Sequence, residues 1–179
     1  TMWDNWCLVE GDSIHLFHLQ YTMNGIVYEH DVDRRGFGHA TSGDLLRWSE
    51  KPEVLDLYKQ QFNNDWNFRY TGSTIKHNGK YYTFYTMRKW GMQRIGLATS
   101  DDLYSWKEYE GNPVLEPDSR WFISFNAEGT GSNHPVWKDI VDCRDMLVIK
   151  DKSGSGYYGY FISSADRNDL SSPTSVVGI

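Results

Sequence analysis

The stretch GHATSGDLLRW at residues 38–48 returns as GLATSDDLYSW at residues 96–106, with Gly, Ala, Thr, Ser, Asp, Leu and Trp held in place. A spaced repeat of this kind implies one supersecondary unit used more than once, each copy burying its apolar face against the next. What precedes each copy defines the unit. Residues 7–21 read as strand, turn and strand about Gly11-Asp12. Residues 73–89 repeat that grammar about Asn78-Gly79, a strong hairpin dipeptide, and residues 145–165 do so with a looser turn at 152–156. Each hairpin leads into a third strand like IGLATS, and D-L-x-x-W then turns into a fourth. Four short antiparallel strands in about 40–60 residues make one blade of a β-propeller.

The expectation is therefore an all-β chain of four-stranded antiparallel propeller blades, at roughly 1–62, 63–118 and 119–179. SVVGI at 175–179 aligns with QRIGL at 93–97 and opens a third copy that the sequence does not complete. A closed propeller takes at least about four blades, so a partial propeller is expected, able to self-associate through open blade edges. Within the motif, Gly38 and Gly96 are expected to allow close packing between blades. Asp44 and Asp102 are expected to accept hydrogen bonds from turn backbone, and Trp48 and Trp106 to lie between neighbouring sheets. The repeat is scaffold.

Charge narrows the partners. A formal net charge of −6 without a basic cluster argues against nucleic acid and anionic membrane surfaces. No run approaches the ~20 apolar residues of a membrane span, and TMWDNW shows no export signal. The compartment stays open. The chain is rich in Trp (8) and Tyr (12), which suit both β cores and sugar-stacking surfaces. Cys7 and Cys143 read as buried free thiols. His15, His18 and His77 read as structural imidazoles, and His30, Asp31 and Asp33 as a solvated loop, so no metal or other cofactor is expected.

Chemistry is expected where inner strands begin, because they line a propeller's central channel. Three segments qualify: MWDNWCLVE with Asp4, FRYTGSTIKH with Arg69, Tyr70 and Thr71, and DCRDMLVIKD with Asp142, Arg144 and Asp145. Asp4 and Asp145 at equivalent places would project toward one axis, and paired carboxylates are what glycosidic bond cleavage uses. Strand-edge caps are the other reading. Trp3 and Trp66 are the preferred sugar-stacking pair, with plain packing as the alternative. His39 stands where the second copy has Leu97, which makes it a candidate for the channel.

WDNW…HLFHLQY, YTGSTIKHNGKYYTFYT, GLATSDDLYSW and CRDMLVIKD together resemble the five-bladed propellers of glycoside hydrolase families 32, 43 and their relatives. The resemblance covers essentially the whole chain. It implies a carbohydrate substrate (furanosides or short oligosaccharides), with Asp4 as nucleophile or base and Asp145 as the aspartate that stabilises the transition state. It further implies Arg144 as a sugar-binding neighbour that keeps Asp145 ionised, and Tyr70-Thr71-Gly72-Ser73 as a substrate loop with Tyr70 and Ser73 on the sugar. The third motif reads Arg144-Asp145-Met146 where the family has Arg-Asp-Pro. The family's general acid is a Glu of the fourth blade, expected to lie beyond Ile179. Glu128 does not match it. A non-catalytic carbohydrate-binding propeller is the alternative, and an extracellular or periplasmic location is slightly favoured by the resemblance.

Overall fold

Alternation along KYYTFYTMRK requires cover on two sides. Successive side chains of a strand leave opposite faces, and here both faces carry aromatic residues. Tyr81, Tyr85 and Met87 join one core with Trp6, Phe17, Leu19 and Phe37, while Phe84 packs against a second core of Ile95, Cys143, Met146 and Phe161. The sheet containing this strand is thus sandwiched between two others.

A computed structural model describes residues 2–20, 36–55, 68–89, 92–118, 120–122, 142–165 and 174–179. It is all-β, with no helix among the described residues. The first antiparallel sheet runs β1 (Met2–Glu10), β2 (Ser13–Gln20), β3 (Phe37–Ser42), β4 (Ser49–Val54). The second runs β5 (Phe68–His77), β6 (Lys80–Lys89), β7 (Met92–Ser100), β8 (Trp106–Glu108). In the third, β10 (Tyr157–Ala165) lies between β9 (Cys143–Lys150) and β11 (Thr174–Gly178). These are three propeller blades in sequence order. The innermost strand β5 packs between β1 and β9. At the β5–β6 turn, Asn78 and Gly79 both adopt left-handed backbone, with φ of 47° and 78°, as a type I′ hairpin requires.

The repeated motif folds into the same turn twice. Ser42 Oγ accepts from the amides of Asp44 and Leu45, and Asp44 Oδ1 accepts from those of Leu46 and Arg47. Ser100 and Asp102 make the equivalent four bonds with residues 102–105. Leu45 and Leu103 both take positive φ, 63° and 69°. The indoles of Trp48 and Trp106 each donate to the carbonyl three residues back. Backbone bonds hold both Asp44 and Asp102 below the ordinary carboxylate range.

Three scaffold expectations need correction. A Cβ at Gly38 would meet the His18 ring at 2.1 Å, and one at Gly96 would meet Met87 at 2.6 Å and Tyr85 at 2.8 Å. These are neighbours on the adjoining strand, so the glycines make room within a blade rather than between blades. Gly178 plays the same part for Phe161 in the third. Trp106 is buried between the first two sheets beside Phe17, but Trp48 is 38% exposed because it occupies the face of the first blade turned away from the second. Cys143 is buried, whereas Cys7 is exposed, since β1 alternates and Trp6 takes the inward position.

Candidate active site

The inner strands of all three blades are interrupted at one register position. Pairing slips between Trp3 and Trp6, between Tyr70 and Gly72, and between the partners of Tyr160 and Ile162. Counting back two residues from Trp6, Ser73 and Leu147, which pair with Phe17, Phe84 and Tyr160, gives Asp4, Thr71 and Asp145. A bulge bends its strand and re-aims the extra side chain. Asp4 and Asp145 both take left-handed backbone, φ 52° and 55°, a conformation that aspartate tolerates better than most residues.

A hydrogen-bonded path joins the three bulges. Thr71 Oγ1 donates to Asp4 Oδ2 at 2.7 Å. The Thr71 carbonyl accepts from Thr86 Oγ1 at 3.2 Å, and that same oxygen accepts from the Asp145 amide at 2.9 Å. Beside Asp145, the Arg144 guanidinium lies 3.4 Å from its carboxylate, is hydrogen-bonded to Asp142, and donates to Gln93 Oε1 at 3.2 Å. Asp142 is held in turn by Ser164 Oγ at 2.7 Å. Burial pushes the Asp145 carboxyl above its ordinary range. The Arg144 charge opposes this, and the Asp4 and Asp142 charges add to the rise. The expected effect of Arg144 is thus present, but burial outweighs it.

The remaining candidates are placed as follows. Tyr70 packs against the first core, and its hydroxyl accepts from Arg88 Nη1 at 3.1 Å. Ser73 is buried, and its Oγ accepts from the Val148 amide at 3.0 Å, which ties the second blade to the third. Trp3 is half-buried against the first core. His39 is only 2% exposed, 3.0 Å from His15 Nδ1 and stacked on Phe17 with centroids 4.7 Å apart. It therefore lies in the packing between the first two blades and not in the channel, because its register on β3 pairs it with Phe17. Trp66, Glu128 and the loop with His30, Asp31 and Asp33 lie outside the described residues. Thr86 and Gln93 did not emerge from the sequence. The signal for Thr86 is in the register, where the first and third blades place Leu19 and Ile162 opposite Trp3 and Arg144.

The family model for the glycosyl hydrolases family 32 N-terminal domain matches residues 9–124, more than half of the chain. The chain belongs to glycosyl hydrolase family 32. The match includes both copies of the repeat and residues 70–73, which lie within β5 rather than in the loop expected for them, but neither Asp4 nor Asp145, so the case for that pair rests on the bulge geometry. An insoluble isoenzyme of β-fructofuranosidase from Arabidopsis thaliana is 32% identical over 121 residues, 63% of this chain and 20% of its own. Among solved structures, a β-fructofuranosidase of this family from Bombyx mori has a TM-score of 0.63 at 23% identity, covering 92% of this chain and 30% of its own. A β-xylosidase, RS223, has a TM-score of 0.60 at 20% identity, covering 89% of this chain and 43% of its own. At such identities the structural likeness speaks for the fold. The chain spans about a fifth of the curated relative and about a third of the Bombyx mori enzyme.

Proposed function

We propose that this chain supplies two of the carboxylates of a glycoside hydrolase acting on fructosides. The observation that carries the reading is the occupation of one bulged register position by Asp4 in the first blade and Asp145 in the third, flanking β5. Asp4 is exposed and takes a hydroxyl bond from Thr71, which suits a group that attacks the anomeric carbon or activates water against it. Asp145, raised by burial and by the Asp4 charge, sits against Arg144, which suits stabilisation of oxocarbenium-like charge and orientation of sugar hydroxyls. A carboxylic acid from a further blade completes the chemistry by protonating the leaving oxygen, and like charge from this pair would keep that acid protonated. Support for the sugar comes from the relatives: a variant of the Bombyx mori enzyme was solved with sucrose, and the Schwanniomyces occidentalis enzyme with fructosyl-erythritol.

The test is sucrose turnover by the full-length protein and its Asp4→Asn and Asp145→Asn variants, with folding checked by circular dichroism. Loss of about a thousandfold or more in kcat for Asp4→Asn is expected, since a nucleophile or base cannot be replaced by an amide. Fructose binding without any turnover in the unmodified protein would instead mark a carbohydrate-binding propeller.

A further inference from the structure

Thr86 is the place where the second blade departs from the other two. Its register equivalents Leu19 and Ile162 are apolar, whereas Thr86 brings a hydroxyl into a fully buried position, 0% exposed. A buried hydroxyl without partners is costly, and this one uses both its functions, one within the second blade and one across the boundary to the third. It donates to the carbonyl of Thr71, the extra residue of the β5 bulge, and accepts from the amide of Asp145, the displaced residue of the β9 bulge. Bulged residues drop out of the strand ladder, so their backbone groups must be satisfied from elsewhere. One oxygen satisfies two of them.

We infer that Thr86 is a positioning residue that fixes the spacing of the Asp4 and Asp145 carboxylates by pinning the bulges of β5 and β9 to each other. Thr71 carries the constraint on to Asp4 through its own hydroxyl. The inference rests on the proposed pairing of these carboxylates in catalysis, although the geometric constraint itself does not. Around Asp145 the charged groups are Arg144 and Asp142 on its own segment and Asp4 from β1. If the Asp145 amide loses its acceptor, the bulge loosens, and the carboxyl moves toward water and away from Asp4. Two of the three upward influences on its titration, burial and the Asp4 charge, then weaken together.

Thr86→Val keeps the shape and removes the hydroxyl, and Thr86→Ser restores it. In full-length protein labelled at aspartate carboxyl carbons, Thr86→Val should lower the Asp145 midpoint by about half a unit or more, and Thr86→Ser should return it. With sucrose as substrate, kcat should fall about tenfold to a hundredfold while KM stays within about twofold, again recovering in Thr86→Ser. An unchanged or raised Asp145 midpoint in folded Thr86→Val, or no recovery in Thr86→Ser, overturns the inference. Should Thr86→Val not fold, amide exchange of Asp145 in the unmodified protein decides it: protection supports the bond, and exchange at the free rate overturns it. If the unmodified protein does not cleave sucrose, the proposed function fails on that result, while titration and exchange still judge Thr86.

Discussion

Removing Arg69 should be strongly destabilising to the first two blades. Arg69 and Glu108 are 1% and 6% exposed, and Arg69 Nε reaches Glu108 Oε1 at 2.5 Å. The Tyr85 hydroxyl donates to the same carboxylate oxygen at 2.6 Å, and the guanidinium carbon lies 5.7 Å from the Tyr85 ring centroid. Arg69→Met leaves Glu108 buried with its charge uncompensated. Breaking a buried pair from one side costs about 3–5 kcal/mol. For a chain of this size Tm falls roughly 2–4 °C per kcal/mol, so a fall of about 6–20 °C is expected in thermal melts followed by tryptophan fluorescence. Replacing the whole group, as Arg69→Met with Tyr85→Phe and Glu108→Leu, removes the stranded charge, and apolar substitutes for buried ion pairs are often neutral. That triple variant should recover at least half of the loss. A triple variant no more stable than Arg69→Met would refute the reasoning and assign the cost to shape alone, as would a single-variant loss below about 1 kcal/mol.

Acid should loosen the first blade through His39. Burial, then the charges of His15, Lys51 and His18, push its imidazole from 6.5 down to about 4. The folded protein thus holds His39 neutral where the unfolded chain takes a proton, so stability declines as pH falls from 6.5 to about 4 and is unaffected above. Urea midpoints across that window should show the decline, worth ~3 kcal/mol at most, and His39→Leu should flatten it. Iodoacetamide should modify Cys7 in the native protein and Cys143 only after unfolding, because burial pushes the Cys143 thiol up to about 11; mass spectrometry counts the adducts. Gly72→Ala sets a Cβ 1.9 Å from the Phe84 carbonyl oxygen and should cost about 2–3 kcal/mol or more. Gly156→Ala meets nothing within 4 Å and should stay within about 0.5 kcal/mol in the same urea titration.

Local rules were the legible part. Asn78-Gly79 announced a hairpin, Asp44 and Asp102 announced backbone acceptors, and the spacing of the two copies announced blades, because each depends on residues within a few positions. Asp4 and Asp145 were singled out by placing them at the start of inner strands, without any sign that both sit in bulges. A bulge is a property of pairing, visible only when the partner strand is known. Arg69 meets Glu108 across 39 positions, and Asp145 meets Thr86 across 59. Nothing in the spacing of such residues encodes the encounter. His39 misled for a related reason: a polar residue in an apolar motif reads as exposed until His15 is known to stand beside it.

The repeated bulge also bears on how such a blade changes its chemistry over time. One slot per blade points a side chain inward, and here the slots hold Asp, Thr and Asp. The backbone of a slot goes with its occupant: both aspartates take left-handed backbone, a conformation aspartate tolerates, whereas Thr71 has no positive φ despite the same register slip. Exchanging the occupant of a slot therefore asks for a change of backbone as well as of side chain, and the slot that holds Thr does not take Asp by a side-chain swap alone.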